Sequence, residues 1–136
     1  MDAETPKPKS RDELNEISGK IIEYSIEVHK ELGPGMLEGA YEICLMHELV
    51  RNGFRVERQV LLPIRYQGIM LDAGYRIDLL VESSVIVELK AVDRLLPVHE
   101  AQLLSYLRMS DLRLGLLINF NVRLLRDGIR RVVNNF

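Results

Sequence analysis

The stretch YRIDLLVESSVIVELKA, residues 75–91, contains two apolar runs separated by a short polar break. Runs rich in β-branched residues on either side of such a break predict a β-hairpin. Three charged residues, Asp78, Glu88 and Lys90, interrupt the apolar runs. Charges inside apolar strands are costly unless they are paired or used, so these three residues indicate a functional site on the hairpin.

The length of the loop decides which charges face each other. Side chains alternate between the faces of a strand, so Glu88 and Lys90 share a face. A three-residue loop, Glu82–Ser84, places Asp78 opposite Glu88 and keeps each face chemically uniform, whereas a two-residue loop mixes the faces. Two carboxylates about 5 Å apart destabilise a hairpin unless a cation lies between them. A divalent metal ion and Lys90 are the candidate cations.

The composition is typical of a globular protein. The chain has 136 residues, of which 47% are hydrophobic and 28% are charged. No apolar run approaches the roughly 20 residues of a membrane span, and the polar residues 1–10 do not resemble a signal peptide. We therefore expect a cytoplasmic protein without a membrane partner. The single cysteine, Cys44, excludes an intramolecular disulfide, and no Cys/His cluster has zinc-binding spacing.

The charge is unevenly distributed along the chain. A formal net charge of -2 argues against a large nucleic-acid-binding surface, which normally requires clustered Lys and Arg. Residues 101–136 nevertheless contain six arginines and two aspartates, a net charge of +4. A local basic surface near the C-terminus and scattered solvated arginines are both compatible with this pattern.

Two helices are predicted in the first half of the chain. Residues 1–10 form a predicted disordered tail, and residues 11–136 form a predicted single domain. A capping box at residues 10–13 and apolar residues at helical spacing predict a helix from about Arg11 to Leu32, with a partly exposed His29 near its end. A second helix is predicted from Met36 to Arg51.

Glu38 lies in the first turn of the second predicted helix and shares a face with Tyr41. There it either complements the helix dipole or lends a carboxylate to a site.

The second half of the chain predicts a mixed sheet. Strand composition at residues 54–66 and a turn at residues 67–68 predict an antiparallel meander that continues into the hairpin. A helix from about Val98 to Ser110 then leads to an apolar strand without alternation at residues 114–120, which should pair near the Glu88 strand after a crossover. Residues 124–133 predict a terminal hairpin at the sheet edge. The expected class is α/β, or α+β by some schemes: a β-meander plus a crossover strand, flanked by helices.

Taken together, these segments resemble the GxxExxY protein family, which belongs to the PD-(D/E)XK nuclease-like superfamily. The resemblance runs in order from about residue 13 to residue 136. The matching segments are Gly35-Met36-Leu37-Glu38-Gly39-Ala40-Tyr41, Glu57-Arg58-Gln59, Ile77-Asp78-Leu79, Val87-Glu88-Leu89-Lys90-Ala91, Gln102-Leu103-Leu104-Ser105-Tyr106-Leu107 and Gly115-Leu116-Leu117-Ile118-Asn119-Phe120. Ile77 stands where the superfamily's name has proline.

The resemblance implies a restriction-endonuclease-like core with a metal-dependent phosphodiesterase site. Asp78 and Glu88 would bind Mg²⁺ or Mn²⁺, and Lys90 would position or activate the attacking water. Glu38 resembles an acidic residue contributed by the first helix of such sites, and Gln102 resembles a polar residue of the crossover helix.

Elementary ion chemistry agrees with this ligand set. Mg²⁺ takes oxygen ligands and usually only one or two carboxylates, and the main-chain carbonyl of Leu89 is a further candidate ligand. Tyr41 and Tyr106 are candidate substrate contacts.

Two functions follow as expectations. The first is a Mg²⁺-dependent nuclease that acts on DNA or RNA. The alternative is a catalytically inactive module of the same fold that binds nucleic acid or a protein partner. A homodimer is compatible with either function, since many nucleases of this fold pair to cut both strands.

Overall fold

The computed structural model describes residues 8–136. Most of the predicted disordered tail, residues 1–7, lies outside the described residues. Lys9 is hydrogen-bonded to two distant segments: it donates from Nζ to the main-chain oxygen of Glu82 at 3.2 Å, and Arg113 donates to the main-chain oxygen of Lys9 at 2.9 Å.

Three α-helices are present in the described part of the chain: α1 (Arg11–Leu32), α2 (Glu38–Arg51) and α3 (Pro97–Ser110). The predicted capping box begins α1, since Ser10 Oγ accepts from the Glu13 main-chain nitrogen and Glu13 Oε1 accepts from that of Ser10, both at 3.1 Å. Helix α2 begins two residues later than predicted, at Glu38, after the turn that contains Gly33 and Gly35. Both glycines have positive φ, 68° and 98°, which a helix does not allow.

The described residues form seven strands in two sheets. The strands are β1 (Val56–Leu61), β2 (Ile64–Tyr66), β3 (Ile69–Leu71), β4 (Arg76–Val81), β5 (Val85–Lys90), β6 (Leu114–Asn119) and β7 (Ile129–Val133). The main sheet has the order β1-β4-β5-β6-β7, in which only the β5–β6 pair is parallel. The predicted crossover is confirmed, because α3 connects these two parallel strands and Glu88 pairs with Leu117.

Two details of the predicted sheet are wrong. Strands β2 and β3 do not continue the meander but form a separate two-stranded hairpin, because β1 pairs directly with β4. At the C-terminal end, residues 125–128 form a short 3-10 helix, and β7 pairs with β6 instead of with a strand at residues 124–125. β7 does lie at the edge of the sheet, as expected.

The main sheet is covered on both faces. Helices α1 and α2 pack against one face through a core that includes Leu45, Leu79 and Leu89. Helix α3 packs against the other face through Leu103 and Leu107. A five-stranded mixed sheet flanked by three helices confirms the predicted α/β class. None of the helices in residues 8–136 is long and apolar enough to cross a membrane.

One buried histidine departs from expectation. His29 was predicted to be partly exposed at the end of α1, but it is only 7% exposed, and its Nε2 lies 2.7 Å from the main-chain oxygen of Val122. Its ring also lies 6.3 Å from that of Phe120. His29 therefore connects the end of α1 to the segment that follows β6.

Candidate active site

The candidate site lies where β4 and β5 separate. The predicted three-residue loop is confirmed, and the pairing of these strands extends from Val81–Val85 to Leu79–Val87. Beyond that pair β4 continues along β1, whereas β5 continues along β6. Asp78 is the first residue of β4 beyond the last pair with β5, so it does not pair with Glu88 as predicted but lies at the opening of a fork in the sheet.

Asp78 fills the gap between the separating strands. Its Oδ2 accepts a hydrogen bond of 2.9 Å from the main-chain nitrogen of Leu89 in β5. Main-chain donors of a strand point within the plane of the sheet, so this bond directs the carboxylate into the fork. The carbonyl of Leu89 faces the same side, since both main-chain groups of a strand residue point toward the same neighbour.

The side-chain alternation of β1 and β4 changes phase at this point. The pair Val56–Val81 packs under α1 and α2, whereas the pair Val60–Ile77 packs under α3. Val56 and Val60 are four residues apart, as are Ile77 and Val81, and in a regular strand two residues four apart share a face. Between the two pairs stands Gln59 with φ 54°, a left-handed conformation that is uncommon for a residue with a side chain.

A hydrogen-bonded network from α2 holds Asp78 from the other side. Glu42 is only 5% exposed, and its carboxylate accepts from Arg58 Nε at 2.8 Å and from Gln59 Nε2 at 2.6 Å. Gln59 Nε2 also donates to Asp78 Oδ1 at 3.3 Å. Glu38, Gly39, Glu42, Gln59, Asp78 and Leu89 line one cleft of about 180 Å³.

Sequence reasoning missed Glu42. Its spacing of four residues from Glu38 is the signal that could have identified it, because residues i and i+4 share a helix face.

Glu88 is the most perturbed acid in the described part of the chain. It is 6% exposed, and its buried Oε1 has no hydrogen-bond partner among residues 8–136. Burial raises the pKa of Glu88 to about 10, and contact with the Asp78 carboxyl group adds to the shift, while the positive charge of Lys90 opposes it. At neutral pH Glu88 therefore holds a proton when no cation is bound.

Lys90 is the last residue of β5. It forms no ion pair within 4.0 Å among residues 8–136. The chain around it is fixed, since Phe120 donates to the main-chain oxygen of Lys90 at 2.9 Å and the Asn119 amide bonds both main-chain groups of Val92. The ammonium is thus available to an anion at the fork.

Glu38 belongs to the same electrostatic environment. It lies in the first turn of α2, and partial desolvation raises the pKa of its carboxyl group. The negative charges of Asp78 and Glu42 raise this pKa further, whereas the positive charge of Lys90 lowers it. Three acidic residues, Glu38, Glu42 and Asp78, therefore line the cleft, and the positive charge of Lys90 acts on it.

Comparison with known families agrees with this geometry. A family model described as the PD-(D/E)XK nuclease superfamily matches residues 15–132, from α1 into β7. The chain belongs to the PD-(D/E)XK nuclease superfamily. Searches of the curated proteins and of the solved structures found no similar protein.

The oxygen donors of this PD-(D/E)XK chain fit a hard divalent cation. Asp78, Glu88 and the Leu89 carbonyl supply oxygen ligands only, and Mg²⁺ usually binds to one or two carboxylates while it keeps several waters. No group of three or more His, Cys, Asp or Glu that could hold a metal ion occurs within residues 8–136. The fit therefore depends on the carboxylate pair, and in particular on the unpartnered Oε1 of Glu88.

The residues that line the cleft do not include five of the predicted residues of this PD-(D/E)XK protein: Tyr41, Glu88, Lys90, Gln102 and Tyr106. Gln102 and Tyr106 line an open groove on α3 together with Tyr75, whose ring is 5.8 Å from that of Tyr106. Burial raises the pKa of Tyr106 to about 12, and the nearby charge of Glu88 contributes. Tyr106 thus adjoins the carboxylate pair, whereas Gln102 forms no hydrogen bond to the predicted site residues.

Tyr41 has a structural environment. It is fully buried, its ring stacks on Phe120 with the centroids 4.5 Å apart, and its hydroxyl donates to the main-chain oxygen of Gly33 at 2.6 Å. The same hydroxyl accepts from the main-chain nitrogen of Met36 at 3.0 Å. These contacts fix the turn that precedes Glu38 and leave no free hydroxyl for a substrate.

Proposed function

We propose that the protein hydrolyses phosphodiester bonds of DNA or RNA with the aid of Mg²⁺ or Mn²⁺. The observation that carries this proposal is the pair of acids at the fork: Glu88 is buried and its Oε1 lacks a hydrogen-bond partner among residues 8–136, and the half-buried Asp78 is directed into the gap. Buried acids without a compensating cation are costly, so their presence favours a site over a structural role.

Each residue of the fork has a chemical role in this proposal. Asp78, Glu88 and the Leu89 carbonyl would hold the cation, which when bound would lower the pKa of a water molecule and stabilise negative charge on the phosphate. The Lys90 ammonium, free of ion pairs in the described residues, binds a phosphate oxygen and orients the attacking water. Glu38 accepts a hydrogen bond from that water at the open side of the cleft.

A closer relationship to the GxxExxY family is part of the proposal. The segment from Gly35 to Tyr41 supports it, because the turn, the first-turn acid and the buried tyrosine act together: Tyr41 fixes the turn from which Glu38 enters the cleft. Cytoplasmic location and a homodimer stay predictions from the sequence.

The test is hydrolysis of labelled single- and double-stranded DNA and RNA with Mg²⁺ or Mn²⁺. We expect Asp78→Asn and Lys90→Met each to lower the cleavage rate by about 100-fold or more, as the loss of one charge-stabilising group does in other enzymes. Asp12→Asn and Lys20→Met, which alter exposed residues of α1, serve as matched controls and should cleave like the wild type.

Two outcomes would contradict hydrolysis. The first is cleavage that persists in Asp78→Asn, which would indicate a contaminating nuclease. The second is binding of nucleic acid without cleavage under all metal conditions, which would favour the alternative of a catalytically inactive binding module.

A further inference from the structure

We propose that an open cleft beside the candidate active site binds backbone phosphate groups of the nucleic acid. This inference rests on the proposed function and adds a second contact surface to it. The cleft, here called the basic cleft, has a volume of about 540 Å³ and is lined by the end of α1, the turn at Gly33 and Pro34, and the segment from Arg123 to Arg126.

Three positive charges line the basic cleft. Lys30 comes from the last turn of α1, and Arg123 and Arg126 come from the segment between β6 and β7. All three are exposed, and none forms an ion pair within 4.0 Å or a side-chain hydrogen bond with another described residue. No acidic side chain in the described part of the chain lines the cleft.

The acidic groups nearby do not neutralise this charge. Glu27 and Glu31 of α1 line a different cleft, against α2. The C-terminal end of α1 contributes a partial negative charge of about 0.5, which is small beside three full positive charges. Asp127 follows Arg126 directly but is not among the lining residues. A ligand with two or more negative charges would therefore relieve the mutual repulsion of the three cations.

The walls of the basic cleft are held in place. His29 of α1 is hydrogen-bonded to the main-chain oxygen of Val122 at 2.7 Å, which ties the helix to the opposite wall. Leu125, between the two arginines, is 4% exposed and packs in the core under α1. Arg123 and Arg126 thus extend from a fixed main chain.

The basic cleft is close to the fork along both of its walls. Phe120 is hydrogen-bonded to the main chain of Lys90, and Arg123 follows Phe120 by three residues, which span at most about 11 Å. On the other wall, Gly33 is bonded to the hydroxyl of Tyr41, one helical turn from Glu38. Since a nucleotide advances a duplex strand by about 3.4 Å, a strand cut at the fork reaches the cleft within a few nucleotides.

The other arginines of the C-terminal region are mostly used within the protein. Arg113 donates to the main-chain oxygen of Lys9 at 2.9 Å, and Arg131 donates to Asn15 Oδ1 at 2.7 Å. Arg130 lies 3.6 Å from Glu100. Of the two alternatives that the charge pattern left open, a local basic surface therefore applies to Arg123 and Arg126.

The test is the affinity of a labelled 20-nucleotide single strand, DNA or RNA, measured by fluorescence anisotropy in EDTA over a series of KCl concentrations. The double variant Arg123→Gln/Arg126→Gln is compared with Arg55→Gln/Arg108→Gln. The control removes the same charge from exposed arginines at the opposite end of the sheet, near Glu82 and near the end of α3.

We expect the dissociation constant of the cleft variant to rise about tenfold at low salt, as for the loss of two exposed phosphate contacts. The slope of log affinity against log salt should fall by about 1.4, since each phosphate contact to a single strand contributes about 0.7. The control should change affinity by less than about twofold, and Arg123→Lys/Arg126→Lys should restore the slope. Circular dichroism verifies that each variant is folded.

Three outcomes overturn the inference. The first is that the wild type does not bind nucleic acid, and the second is that the cleft variant and the control lose equal affinity for it. The third is that the cleft variant binds nucleic acid like the wild type and loses only the binding of inorganic phosphate or of anionic phosphatidylserine vesicles. The Asp78→Asn variant separates this inference from hydrolysis. If binding depends on the two arginines but no variant or wild-type protein cleaves, the basic cleft is supported and the proposed hydrolysis fails. If the protein cleaves but binding does not depend on the arginines, hydrolysis is supported and the basic cleft fails.

Discussion

Gln59 donates a hydrogen bond of 3.3 Å from Nε2 to Oδ1 of Asp78, from the position opposite it on the neighbouring strand. The same nitrogen donates to the buried carboxylate of Glu42 at 2.6 Å. Glu42 thereby fixes the amide, and the amide fixes one oxygen of Asp78, while the Leu89 nitrogen holds the other oxygen. The left-handed conformation of Gln59 is what brings its side chain between the two acids.

Removal of this amide should weaken metal binding. Groups that orient a metal ligand typically contribute 10- to 100-fold to metal affinity or activity, so we expect Gln59→Ala to lower Mn²⁺ affinity about tenfold. Gln67→Ala is the matched control, because Gln67 is an exposed glutamine with nearly the same φ, 52° against 54°. Both substitutions place alanine in the same strained conformation. Isothermal titration with Mn²⁺ measures the affinity, and equal affinities in the two variants would refute a positioning role for Gln59.

The stability of the metal-free protein should depend on the proton of Glu88. Its folded-state pKa of about 10 lies above the ordinary value of 4.5, so the folded protein holds a proton that the unfolded chain releases between these pH values. The stability that this proton contributes is full below pH 4.5 and is lost as the pH rises toward 10. Glu88→Gln carries no such proton. At pH 8 in EDTA we expect it to unfold at a higher denaturant concentration, with a gain that grows by roughly 1 kcal/mol per pH unit above 4.5 and disappears near pH 4.5.

Glu42→Gln is the contrasting variant. Glu42 is buried to the same degree, 5% against 6% exposed, but its carboxylate is paired with Arg58 at 2.8 Å. Loss of that charge should lower the free energy of unfolding at pH 8 by about 1–3 kcal/mol, the usual contribution of a hydrogen bond to a charged group. If Glu88→Gln instead destabilises the protein at pH 8 as Glu42→Gln does, Glu88 is a structural acid.

The sequence was sufficient to predict the arms of the hairpin and their register. Uniform faces and a three-residue loop at residues 82–84 are local properties, and they correctly give the register from Val81–Val85 to Leu79–Val87. The predicted pair of Asp78 with Glu88 is wrong, because the two strands separate after Leu79–Val87. The capping box at Ser10, the start of α3 near Pro97 and the buried strand β6 are also local signals. Each has its own pattern within a few neighbouring residues.

The errors have a common physical cause: the sequence does not show which segments, far apart along the chain, pair with each other. Residues 64–71 have strand composition, but composition does not show that β1 bypasses them to pair with β4. From the sequence alone, Glu42 is expected on the surface of α2. It is buried because the pairing of β1 with β4 places Arg58 and Gln59 against it.

Tyr41 should matter for stability and not for substrate affinity. Tyr41→Phe removes two hydrogen bonds to the main chain of the Gly33–Met36 turn, and we expect the free energy of unfolding to fall by about 1–3 kcal/mol. Tyr66→Phe, at a 60% exposed tyrosine of the β2–β3 hairpin, should be neutral. Urea denaturation measures the first effect. A Tyr41→Phe variant with unchanged stability and weaker nucleic-acid binding would restore Tyr41 as a substrate contact.

Lys90 should separate catalysis from metal binding. Its ammonium lies near the carboxylates without an ion pair in the described residues, so its positive charge opposes a bound cation while it favours a phosphate. Lys90→Met is therefore expected to abolish cleavage while Mn²⁺ affinity stays equal or rises, whereas Asp78→Asn should lower both. Titration with Mn²⁺ and single-turnover cleavage of the same preparations measure the two effects. A parallel loss of metal affinity in Lys90→Met would mean that the lysine organises the fork structurally, because an ammonium cannot itself be a metal ligand.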